Sequence, residues 1–466
     1  MVAVAYLAVP AGAGASAPRL RVEGNHVVDS RTNQAFVMRG VNWPSFEYAC
    51  RDGYGYSNPA RKRTVGPDVA GAAVIVSWHI NTVRVPLNQD CWMGEDRLPK
   101  YGTRSGYRRA VRRWVSILNR AGLAVVLDLH WSGPRGVVAD GQRAMGDTRS
   151  DDFWRSVART FRRNRSVVFD VFNEPYSRYG DTGLVFDLTW ACWRNGGCNA
   201  PRAQILQPLD GRTFVTIGMQ TMVDAIRATG ARQPIIVSGR DFGNDVSGWL
   251  ANRPTDDQLI AGFHNYSHQP CHTSACWDAT VAPVAAQVPV VSGEFGENDC
   301  STGFVNGYMD WADQRDVGYL MWAWWVLSDR RCETHAVLSD VKGRARAPNG
   351  TALKHHLARL APRLSLGGPG RQRLDAAVEV SARCSKACGA RASGRLVVGR
   401  HSFALSPASA ALSAGRAGVF ALRIPREARR AASRALREHK PVSARIAVVV
   451  SSNSMTSEGR RSVVLH

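Results

Sequence analysis

The stretch VVFDVFNEPYS, from Val167 to Ser177, begins as a strand and ends on an amide and a carboxyl side chain. Its first residues are mostly apolar and β-branched or aromatic, which favours a buried strand. Asn173 and Glu174 then precede Pro175, which cannot continue a hydrogen-bonded ladder. The same pattern also occurs at ordinary strand-to-loop boundaries, because Asn and Pro are common turn residues. A second carboxylate in a matching context would favour a functional interpretation.

Eight strand candidates of this kind occur in the first 362 residues, and helix-like stretches separate most of them. The strand candidates are FVMRGVNW, INTVRVPL, LAVVLDLHW, VVFDVFNEP, PIIVSG, LIAGFHNY, VPVVSGEFG and GYLMWAWW. The helix candidates are Thr64–Ser77, Tyr107–Ala121, Asp152–Asn164, Thr213–Ala228 and Phe304–Arg315. Strand–helix alternation predicts a parallel sheet, and eight repeats in this length predict an α/β fold of the (β/α)8 TIM-barrel type.

The second carboxylate is Glu294, which the apolar strand candidate VPVVSGEFG presents near its C-terminal end. Glu174 and Glu294 belong to the fourth and seventh strands, which face each other across a barrel mouth. Glycoside hydrolysis requires two carboxyl groups, one to protonate the leaving oxygen and one to attack or to activate water. Other side chains suited to such a site also come at strand ends: Asn42, Arg84, His130, Asn173, His264, Tyr266 and Trp322.

The last 104 residues differ from the rest in charge and pattern. From Arg363 onward, nineteen Lys or Arg stand against five Asp or Glu, so this part carries +14 of the formal net charge of +22. Residues 363–373 are rich in Gly and predict a linker, and the short β-rich runs of 374–466 predict a small Ig-like β-sandwich. The charge is typical of a solvated basic face that needs no partner, and the alternative interpretation is binding of an anionic cell-surface polymer. No motif for nucleic acid is recognisable.

The cysteines and the N-terminus predict export. The cysteine count is ten, an even number, and it favours disulfides. Residues 1–17 are predicted as a signal peptide, although the missing positive n-region leaves a truncated start open. Local spacing pairs Cys50 with Cys91, Cys192 with Cys198, Cys271 with Cys276, Cys300 with Cys332 and Cys384 with Cys388. A metal site at the third pair with nearby histidines is the less favoured alternative. No apolar run is long enough to span a membrane.

In order and spacing, the motifs RGVNWPSFE, NTVRVPL, VVLDLHW, FDVFNEP, GFHNY, GEFG and MWAWW resemble those of the glycoside hydrolase family 5 cellulases. The resemblance covers roughly Leu20–Leu360, and we predict a catalytic domain over residues 18–362. It implies that Glu174 is the acid/base and Glu294 the nucleophile. It also implies retention of the anomeric configuration, with carboxyl groups about 5–5.5 Å apart.

Six further positions match the family as substrate-binding or supporting residues: Arg84, His130, Asn173, His264, Tyr266 and Trp322. The resemblance implies that Arg84 keeps the nucleophile ionised, that Asn173 bonds the sugar 2-hydroxyl and that Tyr266 lies beside the nucleophile. Trp322 would be the platform under the sugar, with Trp324 and Trp325 as its rivals. Strand alternation puts Trp322 and Trp324 on one face, and the spacing in the family favours Trp322. The two histidines line the reactive subsite or, alternatively, have a hydrogen-bonded structural role.

Six aromatic residues just past strand ends are candidates for stacking on further sugar rings, and we expect about half to do so. They are Trp43, Phe46, Tyr48, Trp92, Trp131 and Tyr176. We therefore predict a secreted, retaining endo-β-1,4-glucanase that acts on β-linked polysaccharide and needs neither cofactor nor metal, because two carboxylates supply the chemistry. The alternatives are a β-mannanase, an exo-acting β-glucosidase, and a catalytically inactive carbohydrate-binding barrel.

Overall fold

The computed structural model describes residues 17–52, 56, 67–94, 104–327, 331–452 and 454–466. The predicted signal peptide up to residue 16, most of the loop after the first barrel strand and the start of the helix predicted from Thr64 lie outside these residues. The described chain divides into two compact units, Ala17–Leu357 and Ala358–His466.

The first unit is a closed barrel of eight parallel strands, as the sequence predicts. The strands are Arg39–Asn42, Thr82–Asn88, Ala124–Trp131, Val167–Asp170, Ile235–Ser238, Leu259–Tyr266, Val290–Gly296 and Gly318–Met321. Nearly every strand residue is buried, because helices cover the outer face and side chains fill the interior. The last strand pairs with the first, and the fourth pairs with the fifth, which closes the barrel.

Helices follow most barrel strands. Those of eight or more residues are Val69–Ser77, Arg104–Arg120, Ser150–Phe161, Met219–Arg227, Gly303–Asp313 and Asn349–Leu360. Shorter segments are Ala49–Asp52, Gln89–Met93, Trp190–Asn195, Trp249–Asn252, Ser274–Cys276, the π-helical turn Trp277–Val281 and Ala282–Ala285.

The helix predicted over Thr213–Ala228 is wrong in its first part. Thr213–Ile217 is a strand, which pairs antiparallel with Gly196–Pro201, and the helix begins only at Met219. The sequence TFVTI alternates in burial and is rich in β-branched residues, which suits a half-exposed strand better than a helix. A second hairpin also lies between the fourth barrel strand and the helix that begins at Met219, and it pairs Arg178–Gly180 with Gly183–Phe186.

A small antiparallel sheet precedes the barrel and was not predicted. Its strands are Leu20–Glu23, His26–Asp29 and Gln34–Ala35. Leu20 and Val27 belong to one apolar cluster with the start of the barrel strands, including Ala124, Val168 and Ile236. The sheet therefore covers the N-terminal end of the barrel and leaves the C-terminal end free for a site.

The second unit is a two-sheet sandwich with one long helix. Leu364–Gly367, Ala377–Cys384 and Ala417–Arg423 form the smaller sheet, and Arg371–Gln372, Met455–Leu465, Val442–Ser452, Cys388–Val398, His401–Ala404 and Ala408–Leu412 form the larger. Both sheets and the helix Arg426–Arg437 share one apolar core. Residues 363–373, predicted as a linker, contribute strands to both sheets, because their backbone groups pair there.

All five predicted cysteine pairs are confirmed as disulfides: Cys50–Cys91, Cys192–Cys198, Cys271–Cys276, Cys300–Cys332 and Cys384–Cys388. The third bond removes the two cysteine ligands that a metal site at His268 and His272 would have needed. Among the described residues, no helix has the length and apolar character that crossing a membrane requires.

Candidate active site

The C-terminal ends of the barrel strands bring the predicted site residues together. One side-chain ligand atom from each of Glu174, His264 and Glu294 lies within 4.8 Å of the other two. One carboxylate oxygen of Glu174 thus lies within 4.8 Å of one of Glu294. Such a close approach suits the carboxyl pair of a retaining glycosidase better than the separation of about 6.5–9.5 Å between the carboxyl groups of an inverting one. Two carboxylates and an imidazole could also hold a cation, but two of these three ligands are the carboxylate pair itself.

Arg84 is the centre of the polar network beneath this pair and is fully buried. Its Nη1 donates to Glu294 Oε1 at 2.8 Å and to Asn42 Oδ1 at 2.9 Å. Its Nη2 donates to Asn173 Oδ1 at 2.7 Å. The planar guanidinium therefore fixes side chains from the first, fourth and seventh strands at once.

Two buried aspartates complete the network, and sequence reasoning missed both. Asp170 Oδ2 accepts from Arg84 Nε at 2.9 Å, and Asp128 Oδ2 lies 3.0 Å from Arg84 Nη2. Burial would lower the pKa of Arg84, but the surrounding carboxylates outweigh it and raise that pKa. Burial in turn raises the pKa of Asp128 to about 7. A signal was present, because each aspartate interrupts an apolar strand as Arg84 does.

Both carboxylate oxygens of Glu294 accept hydrogen bonds from neighbouring side chains. Besides the bond from Arg84, its Oε2 accepts from the Tyr266 hydroxyl at 2.7 Å. Both oxygens are thereby held by donors, one of them cationic, and the side chain is almost fully buried. Donors to both oxygens and a nearby cation stabilise a carboxylate and orient it for attack.

Glu174 has different partners from Glu294, and none of them is an arginine. Burial raises the pKa of Glu174, and the amide of Gln142 works against that effect. Gln142 Nε2 donates to Glu174 Oε2 at 2.6 Å, and His264 Nδ1 lies 2.9 Å from Glu174 Oε1. Two glutamates with such different partners can divide the roles of acid and nucleophile.

Gln142 is a site residue that sequence reasoning did not find. It lies in the long loop after the third barrel strand. Its carbonyl accepts from the Tyr176 hydroxyl and from the amide of Ile205, so two hydrogen bonds hold its backbone in place. Nothing in the local sequence marks this glutamine, because the loop has no regular structure and its path depends on tertiary contacts.

Both site histidines are neutral over the ordinary pH range. Burial lowers the pKa of His130 to about 4 and that of His264 to about 3. His130 Nδ1 lies 2.7 Å from Asp128 Oδ2, and its ring stacks on Trp322 at 5.4 Å between centroids. His264 Nε2 and Asn173 Nδ2 are buried without a hydrogen-bond partner among the described residues.

The last barrel strand ends at Met321, so the prediction that Trp322 and Trp324 share one strand face is wrong. Trp322 is half-buried at the mouth, where a sugar can reach it. Trp324 is fully buried and packs edge-on against Trp78 at 4.9 Å. The structure therefore leaves Trp322 accessible and buries Trp324, two positions away.

Four of the six aromatic candidates for sugar stacking are core residues. Trp43, Phe46, Trp92 and Tyr176 are at most 1% exposed, so no sugar can reach their faces. They are buried because other segments of the barrel unit pack on them; Trp114 of the helix Arg104–Arg120, for example, lies 4.7 Å from Trp43 between ring centroids. Tyr48 and Trp131 are half-buried, lie 6.0 Å apart and stay candidates for sugar contact.

Comparison with known proteins identifies the family of the barrel. The family model described as "Cellulase (glycosyl hydrolase family 5)" matches residues 38–328. A relative from Aspergillus oryzae named "Probable endo-beta-1,4-glucanase B" is 23% identical over 286 residues, which cover 56% of this chain and 74% of that protein.

Solved structures show the same fold. A β-glucanase from Saccharophagus degradans in complex with cellotetraose has a TM-score of 0.54 at 17% identity, and the match covers 76% of this chain and 99% of that one. A β-mannanase from Streptomyces thermolilacinus with mannohexaose has a TM-score of 0.50 at 20% identity, covering 73% and 94%. With the family model matching more than half of its length, the chain belongs to glycosyl hydrolase family 5, and it is a glycoside hydrolase.

Proposed function

We propose that the barrel hydrolyses internal β-1,4 bonds of a glucan by double displacement with retention. The observation that carries this proposal is the close carboxylate pair with unlike surroundings. Glu294 receives hydrogen bonds from Arg84 and Tyr266, whereas burial favours the protonated form of Glu174. A nucleophile and an acid at this separation are what a retaining glycosidase requires.

In the first step, a carboxylate oxygen of Glu294 attacks the anomeric carbon. Glu174 gives its proton to the glycosidic oxygen, which leaves with the aglycone part of the polymer. The bond from the anomeric carbon to the glycosidic oxygen breaks as the new ester bond forms, so Glu294 loses its negative charge while Glu174 becomes a carboxylate. Gln142 Nε2 lies 2.6 Å from Glu174 and stabilises that newly formed charge.

In the second step, Glu174 takes a proton from water, and the water oxygen attacks the anomeric carbon. Glu294 leaves as a carboxylate, to which Arg84 and Tyr266 again donate. In this mechanism Asn173 bonds the sugar 2-hydroxyl, a contact that tightens in the oxocarbenium-like transition state, and the lack of a partner for its Nδ2 among the described residues supports that role. The face of Trp322 supports the sugar ring.

A glucan substrate is supported by the relative named as an endo-β-1,4-glucanase. The second candidate is a mannan, since the chain also shares its fold with a β-mannanase. The two sugars differ only in the configuration at C2, so the groups around Asn173 decide between them. Export of the enzyme is part of the proposal and is supported by five disulfides.

The roles are tested with Glu294→Ala, Glu174→Ala and the control Glu297→Gln. Glu297 is a buried carboxylate three residues after Glu294, and it bonds Ser301 and Val305 away from the pair. Glu294→Ala should lose several orders of magnitude in turnover on every substrate. Glu174→Ala should keep glycosylation by substrates with good leaving groups but not cleavage of glycans. Hydrolysis by Glu294→Ala close to that of the control would contradict the assignment.

Substrate choice is tested by reducing-sugar release from purified protein on cellulose derivatives, mixed-linkage β-glucan, mannan and xylan. We expect the highest kcat/KM on a β-1,4-glucan and a mixture of oligosaccharide lengths early in the reaction. Preference for mannan would favour the second candidate. Release of glucose alone would indicate an exo-acting enzyme, and binding without turnover would indicate an inactive carbohydrate-binding barrel.

A further inference from the structure

The helix Arg426–Arg437 of the second unit, REARRAASRALR, presents a row of arginines to solvent. Arg426, Arg430, Arg434 and Arg437 are all exposed. At about 100° per residue these four lie within an arc of about 80°, and they span about 16 Å along the helix axis. We call these four residues the arginine row.

The members of the arginine row form no ion pair among the described residues. The acid just after the helix, Glu438, lies near enough to Arg434 and Arg437 to be attracted by their charge, but its ion pair is with Lys440 at 2.8 Å. Buried or half-buried arginines of the first unit such as Arg39, Arg149 and Arg227, by contrast, each form an ion pair with an aspartate. Like charges at i,i+4 disfavour a helix, so the row is an unfavourable arrangement that a bound anion would relieve.

The opposite side of the helix packs into the core of the second unit. Ala428, Ala432 and Ala435 are buried in the apolar cluster that both sheets share. The helix therefore cannot turn an apolar face into a bilayer, as interfacial helices do. It is held rigidly, with only its charged side available to a partner.

A second group of arginines lies on the outer face of the larger sheet and serves as a comparison. Arg391, Arg395, Arg445 and Arg460 are exposed there. Arg460 pairs with Glu458 at 2.6 Å, and Arg395 Nε donates to Ser402 Oγ at 2.6 Å. Two of these four arginines thus have a close side-chain partner within the fold, whereas no ion pair holds a member of the arginine row among the described residues.

We propose that the arginine row binds a linear acidic polysaccharide through successive carboxylate groups. Regularly spaced guanidinium groups match a polymer with repeated carboxylates, because each can bind one carboxylate in a bidentate manner. Polysaccharide is favoured over other polyanions because the same chain carries a glycoside hydrolase, and only this choice of partner rests on the proposed function. Such binding would hold the enzyme at an acidic glycan matrix and raise its concentration near neutral glycans there.

The test uses the full chain with Arg430→Glu/Arg434→Glu and the matched control Arg391→Glu/Arg445→Glu. Both double variants change the net charge equally, at exposed positions of the same unit. Glutamate suits a helix, so the first variant should fold, which circular dichroism checks. Affinity electrophoresis through gels with polygalacturonate, or with neutral hydroxyethyl cellulose, measures binding at low and at about 1 M salt.

We expect wild type to bind polygalacturonate at low salt and to lose binding at about 1 M salt, where the Debye length is about 3 Å. The helix variant should bind at least about tenfold more weakly, while the sheet control changes by less than about threefold. Equal weakening of both variants, or no weakening of the helix variant, would overturn the proposal. Tighter binding of wild type to duplex DNA or to anionic vesicles would also overturn it. Hydrolysis of a small soluble substrate should be unchanged in both variants, and its absence in wild type would count against the proposed function alone.

Discussion

The neutral substitution Glu47→Gln should make the stability of the barrel less sensitive to alkaline pH. Glu47 follows the first barrel strand and is only 2% exposed. Its Oε2 accepts from the backbone amide of Ser45 at 2.7 Å, and Asp128 and Glu294 lie near enough to repel its charge. Glutamine has the same shape and keeps an oxygen for the Ser45 amide, so the substitution removes the charge and little else.

The size of the effect follows from the pKa of Glu47, which burial raises from 4.5 to about 8. A pKa difference of one corresponds to about 1.4 kcal/mol, so ionising Glu47 inside the barrel costs up to about 5 kcal/mol. The folded pKa lies above the unfolded one, so the folded state binds more protons between these values, and stability falls as pH rises through this range. From pH 5 to pH 8 we expect a loss of about 2–4 kcal/mol from Glu47.

Tryptophan fluorescence can report this loss for the barrel alone, because all 14 tryptophans lie between Trp43 and Trp325. We would measure urea unfolding of the full chain at pH 5 and pH 8. With a slope of about 3 kcal/mol per M, the wild-type midpoint should fall by about 1 M more than that of Glu47→Gln. Asp128 and Asp147 also have raised pKa values, so some pH dependence should remain in the variant.

The control is Glu23→Gln, since Glu23 lies in the same unit with an exposed side chain. This variant should keep the full pH dependence of wild type. The reasoning would be refuted if wild type and Glu47→Gln lost the same stability between pH 5 and pH 8. It would also be refuted if Glu47→Gln were less stable than wild type at pH 8, because the carboxylate would then be favourable where it lies.

Arg84→Met should destabilise the barrel by about 3–5 kcal/mol at pH 7, since it leaves buried carboxylates without their cation, and fluorescence-detected urea unfolding would show it. Tyr266→Phe removes a hydrogen bond to Glu294 and should lower kcat/KM about 10- to 100-fold with no loss of fold; a rise in KM alone would contradict a role in attack. Gln142→Leu removes the donor that stabilises ionised Glu174, so the alkaline limb of the kcat/KM profile should move to higher pH. A limb that stays in place would show that Gln142 does not act on this proton.

The barrel strands could be predicted because a parallel strand covered on both faces must be apolar almost throughout. Runs such as Ala124–Trp131 carry that signature, and a polar residue at the end of such a run has few structural reasons to be there. The same reasoning located Glu174 and Glu294 before any geometry was known. The five disulfides were also predictable, since each joins cysteines at short separation or in neighbouring loops.

Long-range contacts decided the rest. The strand Thr213–Ile217 forms because it pairs with Gly196–Pro201. The pattern of five residues in one strand does not show which segment will pair with it. Trp322 and Trp324 differ in exposure because the last strand stops at Met321 and the chain leaves its alternation. Strand ends and loop paths depend on the segments that pack against them. Hydrophobic periodicity carries no information about those segments.

The division between the two kinds of information is clearest around Glu174. The sequence by itself placed this carboxyl at the end of an apolar strand, because hydrophobic periodicity is a local property. Only the tertiary structure brought Gln142, His264 and Glu294 against it, from segments 32, 90 and 120 residues away in sequence. The pKa of the glutamate depends on that enclosure, because desolvation and hydrogen bonding act through space and not along the chain.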